Sequence, residues 1–279
     1  MGPGEGRRGR GALVSGPVRV AVEGRVARVL IDRPEAQNAL SPAVIAGLDS
    51  AVDTALEQRA TVFVVRGAGG TLSAGADLPH LRTLLGDPAR TDAYIGSIGA
   101  VLDRIEAAPF VSVAVIGRYA LAGGFEIMLA CDLAVAADDA RIGDRHLEYG
   151  LIPGAGSSVR LPRVLPAPLA RRLSYTGEMI DGRTAAGWGL VSHHAPADRL
   201  DETLDALVAR LARHSPDALF RTTALHRAAL EAPAVPALAA ERAALVEHLE
   251  SPTIAEGLGA FVERRAPDFT DDRFHPQET

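Results

Sequence analysis

An α/β fold is predicted for this chain, because strand, glycine-rich loop and helix patterns follow one another along its first 200 residues. Two junctions carry this prediction. The apolar run Thr61–Val65 leads into a glycine-rich loop, and the run Phe110–Ile116 leads into Gly123 and Gly124. Repetition of strand, loop and helix favours parallel strands with helices packed against the sheet. Only helical patterns follow residue 200, which predicts a change of architecture there.

The individual elements follow from local signals. Two apolar runs around Glu23-Gly24 indicate a hairpin, and Ser41-Pro42 is typical of a helix N-terminus. The predicted strands are 18–22, 26–31, 61–65, 110–116 and 133–136. The predicted helices are 42–58, 77–85, 91–108, 124–131 and 196–214, with three more before residue 265.

Composition excludes several classes of protein. The chain has 279 residues, and its 47% hydrophobic content is sufficient for a large core. A net charge of −6 without a dense basic face argues against a nucleic-acid partner. A single cysteine excludes an internal disulfide and suits a reducing compartment. No apolar run is long enough to cross a membrane or to form a signal peptide, so we expect a cytoplasmic protein.

The junction from Gly123 to Glu126 suggests chemistry. Two glycines before a helix allow close backbone approach, and the free N–H groups of the helix end attract negative charge. Glu126 lies within the first turn as a candidate proton carrier. Ordinary packing, with a glutamate that complements the helix dipole, is the more common explanation of such a segment on its own. The loop Gly67–Leu78 strengthens the functional interpretation, because a second junction supplies a second N–H donor.

Several segments together carry a family resemblance. They are residues 32–40, 73–78, 123–126 with 131–132, 151–156 with 160–162, and 256–265. In these segments and in their order the chain resembles the enoyl-CoA hydratase/isomerase (crotonase) superfamily. The resemblance implies a crotonase-like ββα spiral core with a C-terminal helical region, an acyl-CoA substrate, and a homotrimer or dimer of trimers.

The domain organisation is predicted accordingly. Residues 1–16, rich in glycine and arginine, are expected to be a disordered tail, and residues 17–200 the spiral core. Residues 201–267 would be the helical trimerisation region, and residues 268–279 a loose tail.

The resemblance also implies the site residues. The N–H groups of Ala76 and Gly123 would bind the thioester oxygen, and Glu126 matches the first of the two glutamates that hydratases use. The second glutamate position is occupied by His146. Three possibilities remain open: His146 carries the proton, Glu148 substitutes through a local shift, or Glu126 works alone with a water. Asp144 and Glu148 are otherwise interpreted as solvated charges near a turn.

Coenzyme A is expected as part of the thioester substrate, with no tightly bound cofactor and no metal. The resemblance implies backbone contacts to coenzyme A around Ser73, Ala74 and Ala76, and contacts from Phe261 and Arg264 of a neighbouring subunit. His193 and His194 are interpreted as residues at a strand end, because no cysteine or acid completes a zinc site.

The most favoured function is an enoyl-CoA hydratase-like addition or elimination of water. One alternative is a C–C bond hydrolase of the β-diketone type that uses His146. Another is a catalytically silent relative that only binds acyl-CoA. A nicotinamide-binding site is disfavoured, since Leu72 stands where the dinucleotide fingerprint needs a third glycine.

Overall fold

The computed structural model describes residues 13–276, in which ten strands form two sheets. The strands are β1 (Leu13–Ser15), β2 (Val18–Glu23), β3 (Val26–Ile31), β4 (Val62–Gly67), β5 (Val111–Ile116), β6 (Tyr119–Leu121), β7 (Leu133–Ala137), β8 (Arg141–Gly143), β9 (Ile180–Asp181) and β10 (His193–Ala195). The helices are α1 (Pro42–Glu57), α2 (Leu78–Arg82), α3 (Pro88–Ala107), α4 (Gly123–Ala130), α5 (Ser157–Val164), α6 (Ala167–Thr176), α7 (Gly182–Gly187), α8 (Leu200–Leu211), α9 (Pro216–Ala229), α10 (Ala234–His248) and α11 (Pro252–Glu263).

The larger sheet has the strand order β1-β2-β3-β4-β5-β7-β10. Its first three strands are antiparallel, as the hairpin signal predicts, and every later pair is parallel. The smaller sheet has the order β6-β8-β9. Strands of the described chain end with β10, and the elements from α8 onward are helices. Parallel strands joined through helices confirm the predicted α/β class.

The core lies between the large sheet and α1, which packs on β2 and β3, and it extends to α3, which packs on α1 and α4. All six residues of β5 are buried, as expected for a central parallel strand covered on both faces. Phe63 of β4 stacks on Phe110 with ring centroids 4.8 Å apart. The two stacked rings hold β4 beside the residue that precedes β5. One glycine-rich segment follows the carboxyl end of β4, and the other follows β5 and the short strand β6.

Both predicted tails need correction. Residues 1–12 lie outside the described residues, but Leu13–Ser15 forms β1 and pairs with β2, so residues 13–15 are not part of a disordered tail. At the other end, Phe274 is only 1% exposed and packs edge-on against Phe269, at 5.4 Å between ring centroids. The guanidinium of Arg25 also donates to the carbonyl of Asp271 at 3.1 Å. Residues 271–276 are thus packed against the body and not loose.

Several helix boundaries also differ from the predictions. The helix capped by Asp77 ends at Arg82, three residues earlier than predicted. The next helix begins at Pro88, because the side chain of Asp87 accepts a hydrogen bond from the N–H of Arg90. The segment predicted to open a long helix at Pro196 is instead a short 3₁₀ turn, and α8 begins at Leu200. Within residues 13–276, no helix is both long and apolar enough to span a bilayer.

We expect Phe274→Ala to lower the free energy of unfolding by about 3–5 kcal/mol, because it removes a fully buried ring. Chemical denaturation followed by circular dichroism measures the change. Leu85→Ala is the control, since Leu85 is 74% exposed and its loss should cost little. Equal effects of the two substitutions would contradict the packing of the C-terminal segment.

Candidate active site

The two glycine-rich junctions are in contact with each other. A methyl group added at Gly75 would lie 2.9 Å from the Cβ of Ala122 and 3.2 Å from the nitrogen of Gly123. A methyl group added at Gly124 would lie 2.0 Å from the carbonyl oxygen of Ser73. Such approaches are possible only without a side chain. The loop after β4 therefore lies directly against the N-terminus of α4.

Two backbone N–H groups at this contact have no hydrogen-bond partner in the described part of the chain. Leu40 donates to the carbonyl of Gly75 at 2.8 Å, and Asp77 donates to the hydroxyl of Tyr94 at 2.9 Å. Between them, the N–H of Ala76 donates to no other described residue. Gly123 is the first residue of α4, and its N–H likewise donates to nothing within residues 13–276. Two adjacent donors are thus available to an oxygen of a ligand.

The backbone before Gly123 is strained. Ala122 has φ 47° and ψ −115°, a conformation that costs a residue with a Cβ about 1–3 kcal/mol. Two hydrogen bonds hold it: its N–H donates to Gly143 at 3.2 Å, and its carbonyl accepts from Glu126 at 2.9 Å. This conformation sets the direction of the peptide that carries the Gly123 N–H.

Glu126 is buried, with an exposure of 2%. Its Oε1 accepts hydrogen bonds from the N–H groups of Ala155 at 2.8 Å and Ser157 at 3.1 Å. Its Oε2 lies 4.0 Å from Nε2 of His146. Burial raises the pKa of Glu126, and the two N–H donors offset this only in part. A carboxylate with a raised pKa is a better base near neutral pH.

His146 opens a 3₁₀ turn behind β8, and its Nδ1 lies 2.5 Å from Oδ1 of Asp144. Burial favours the neutral ring, but the hydrogen bond and charge of Asp144, followed by the charge of Glu126, raise the pKa of His146 overall. For Asp144, burial acts in the opposite direction to the hydrogen bonds from His146 and Ser157, and the net effect is a lowered pKa. The pair therefore favours an imidazolium next to a carboxylate.

Asp144 is not the solvated charge that the sequence suggested, since it is only 1% exposed. Its Oδ2 accepts a hydrogen bond from the hydroxyl of Ser157 at 2.5 Å. Ser157 therefore bonds to both carboxylates, through its N–H to Glu126 and through its hydroxyl to Asp144. One signal in the sequence could have indicated the contact between Asp144 and His146. The two residues lie two positions apart, and in extended backbone such residues share a side.

The loop that supplies these donors is itself anchored by Arg160. Its guanidinium contacts Glu106 at 2.9 Å, Asp103 at 2.6 Å and the carbonyl of Ala155 at 2.9 Å. A cavity of about 640 Å³ beside this network is lined by α3, α5 and α9, and neither Glu126 nor His146 lines it. Sequence reasoning used Arg160 only as part of a motif and missed this anchoring contact.

The remaining predicted residues lie apart from this cluster or on its rim. The side chain of Glu148 is 41% exposed, pairs with Arg145 at 3.2 Å and faces Gly177. Ser73 is buried, and its hydroxyl accepts from the N–H of Gly75.

Three predicted contacts to coenzyme A involve exposed residues. Ala74 is exposed on the loop after β4. Phe261, at 82% exposure, and Arg264 lie at the C-terminal end of α11. Their role in binding coenzyme A stays a prediction.

The two histidines predicted at a strand end do form β10 with Ala195. Nδ1 of His194 lies 2.6 Å from Oδ1 of Asp138, so this ring makes a polar contact at the surface.

Fold and site together define a class of protein: an α/β spiral in which two neighbouring loops carry backbone N–H groups without partners among the described residues, close in the chain to a buried carboxylate. Solved structures with this fold bear out the class. An enoyl-CoA hydratase from Bacillus anthracis superposes with a TM-score of 0.87 at 28% identity, over 91% of this chain and 99% of that one. An enoyl-CoA hydratase from Polaromonas sp. JS666 gives 0.87 at 29% identity, over 91% and 99%. The fold is the crotonase fold.

Sequence comparison gives the same result. The sequence model of the enoyl-CoA hydratase/isomerase family matches residues 21–273. A probable enoyl-CoA hydratase of Bacillus subtilis is 34% identical over 256 residues, 90% of this chain and 98% of the relative. The 2,3-dehydroadipyl-CoA hydratase of Escherichia coli is 33% identical over 251 residues, 90% and 97%. The chain belongs to the enoyl-CoA hydratase/isomerase family of enzymes.

We expect Gly124→Ala to lower the free energy of unfolding by about 1–3 kcal/mol, because its methyl group would overlap the carbonyl of Ser73. Gly96→Ala in α3 is the matched control. Its methyl group meets open space, so this change should raise stability by about 0.5–1 kcal/mol. Denaturant titrations of both variants measure the difference, and the same sign for both would disprove the close contact of the two loops.

Proposed function

We propose that this enzyme adds water to, or removes it from, the 2,3-double bond of an enoyl-CoA thioester. The observation that carries the proposal is a pair of N–H groups, at Ala76 and Gly123, that have no partner within residues 13–276 and lie next to the buried carboxylate of Glu126. These donors suit the thioester oxygen, on which negative charge develops as an enolate forms. One such donor contributes about 3–4 kcal/mol to stabilisation of a transition state of this kind.

In the hydration direction, Glu126 takes a proton from water while the water oxygen bonds to C3 of the substrate. The electron pair of the double bond moves through C2 to the thioester oxygen, which the two N–H groups hold. The enolate then collapses, and C2 takes a proton from Nε2 of His146. Transfer of the proton from Glu126 to His146 restores both groups, so the net change is addition of one water. Elimination is the reverse.

Coenzyme A enters as part of the substrate in this proposal, and no tightly bound cofactor takes part. Backbone at Ser73, Ala74 and Ala76 would contact it. Phe261 and Arg264 are exposed at the end of α11, where they are free to reach a neighbouring subunit. A cytoplasmic location stays a prediction from the sequence.

A homotrimer, or a dimer of trimers, is proposed for the assembly. The C-terminal helices expose many large apolar side chains, and a large apolar patch on a protein surface marks an interface. They are Leu230, Val235, Leu238, Leu245, Val246, Leu249, Leu258, Phe261 and Val262.

The proposed activity is tested with crotonyl-CoA, whose conjugated thioester absorbance disappears on hydration. We expect Glu126→Gln to lower kcat by about 10²–10⁴-fold. Glutamine keeps an oxygen that accepts from Ala155 and Ser157, so the fold should survive. The control is Glu148→Gln, because Glu148 pairs with Arg145 on the exposed side of its turn. Binding of the thioester without turnover by the unmodified protein would favour a silent relative.

A second candidate is hydrolysis of a β-diketone C–C bond, which the Asp144–His146 pair favours. A histidine backed by a buried carboxylate is a general base that can activate water. This activity would need no coenzyme A. Calorimetry with coenzyme A separates the two proposals: heat of binding favours the thioester enzyme, and its absence together with diketone cleavage favours the hydrolase.

The assembly is tested by sedimentation. We expect the protein to sediment at three or six times the chain mass, and Leu258→Asp to shift it toward the monomer, because a charge would be buried in the proposed interface. Leu85→Asp is the control, because Leu85 is also well exposed, at 74% against 62% for Leu258, and lies outside the C-terminal helices. A monomeric unmodified protein at micromolar concentration would contradict the proposal.

A further inference from the structure

A chain of polar contacts connects three titratable groups across the site. Oδ1 of Asp144 lies 2.5 Å from Nδ1 of His146, and the opposite ring nitrogen, Nε2, lies 4.0 Å from Oε2 of Glu126. Ser157 closes the chain into a ring, since it donates its hydroxyl to Asp144 and its N–H to Glu126. Asp144 contacts the ring at Nδ1, whereas Glu126 faces the opposite nitrogen, Nε2.

We propose that Asp144 is a positioning residue, which keeps the proton of the neutral His146 ring on Nδ1 and directs Nε2 toward Glu126 and the reacting carbon. The inference deepens the proposed hydration and rests on it for its kinetic part. It assigns a role to Asp144, which would not touch the substrate. It also explains how His146 can work at the position of the second glutamate, since a glutamate there would need no partner such as Asp144.

The geometry supports this assignment in two steps. A carboxylate can only accept a hydrogen bond, so the nitrogen next to Asp144 must be the donor. Nε2 is then the nitrogen that gains and loses a proton during the reaction. Because Oδ2 is held by Ser157, the carboxylate cannot rotate freely, and the imidazole plane is fixed with it.

The proton balance follows from this tautomer. His146 begins as an imidazolium, protonated on both nitrogens, and gives the Nε2 proton to C2 of the substrate. The neutral ring then has its free electron pair on Nε2. The carboxylic acid of Glu126, formed when it took the proton of water, faces this nitrogen and returns the proton. Asp144 stays ionised throughout and keeps its hydrogen bond to Nδ1.

Few other charges face the imidazole. Asp144 and Glu126 are the two that act on it. On its own turn, Arg145 is occupied by Glu148 at 3.2 Å and by the carbonyl of Gly177 at 2.8 Å. On α6, which packs against this turn, Arg171 is exposed and Arg172 pairs with Glu178. The proton affinity of His146 therefore depends mainly on Asp144.

The direct test is nuclear magnetic resonance of protein labelled with ¹⁵N-histidine, which needs no substrate. The chain has eight histidines, and the signal lost in His146→Gln identifies the one of interest. We expect the neutral ring of His146 to be protonated on Nδ1, and Asp144→Asn to lower its pKa and to mix the tautomers. Protonation of the neutral ring on Nε2 in the unmodified protein would overturn the proposal.

The matched control is Asp138→Asn. Asp138 makes the same kind of contact, 2.6 Å from Nδ1 of His194, but on the surface and away from Glu126. Its loss should change the signal of His194 only and leave kcat as it was. Ser157→Ala is a second variant, which removes the hydroxyl bond to Asp144 and keeps the N–H bond to Glu126. It should lower kcat less than Asp144→Asn.

The kinetic test measures kcat against pH with crotonyl-CoA. We expect Asp144→Asn to lower kcat at neutral pH by about 10²-fold with little change in KM. Hydration needs His146 protonated, so activity falls as pH rises through its pKa. In Asp144→Asn that fall should begin at lower pH, because burial without the opposing charge favours the neutral ring.

The outcomes separate the two proposals. In one outcome, the unmodified protein hydrates the substrate and Asp144→Asn has the same rate and pH profile. This result would refute the positioning role and leave the proposed function intact. In another outcome, the neutral His146 ring has its proton on Nδ1 and loses this preference in Asp144→Asn, but the protein does not hydrate enoyl-CoA. This result would support the positioning role and refute the proposed function.

Discussion

The buried carboxylate of Glu126 is the group on which the rest of the site depends. An ionised carboxylate without partners is costly in the protein interior. Its first oxygen is satisfied by two backbone N–H groups of the loop that leads into α5, at Ala155 and Ser157. Those two bonds leave the second oxygen free for chemistry. The position of the loop is therefore as important as Glu126 itself, and Arg160 fixes it through the carbonyl of Ala155.

The family resemblance implies a second glutamate at this position, and His146 gives the site a different charge. Two neighbouring carboxylates repel each other, and one of them must hold a proton. An imidazolium next to Glu126 instead attracts it, while Asp144 on the far side compensates the positive charge of the ring. In the proposed reaction, the site thus has two proton carriers without two negative charges next to the developing enolate. Ser157 keeps the two carboxylates on opposite sides of the imidazole.

The sequence predicted the α/β class, the main strands and the loop contacts, because strand periodicity and paired glycines are local signals. The family resemblance, and not a local signal, predicted Glu126 and His146 in one site, and the structure places their side chains 4.0 Å apart. It missed the burial of Asp144 and the anchoring by Arg160, since both depend on a loop that returns from residues 153–157 to cover them. It also missed the packing of Phe274, because one aromatic residue among acidic and polar neighbours gives no periodic signal.

At the proposed site for the substrate oxygen, backbone atoms matter more than side chains. The N–H groups of Ala76 and Gly123 would act whatever side chains they carry, whereas Gly75 and Gly124 must lack a Cβ because the two loops touch. Ala122 departs from this pattern, since it keeps a Cβ at φ 47°. Its strain is held by hydrogen bonds to Gly143 and Glu126, so the residue that orients one N–H donor is tied through its carbonyl to the backbone of Glu126. One backbone hydrogen bond therefore joins the peptide that carries the Gly123 donor to the proposed base.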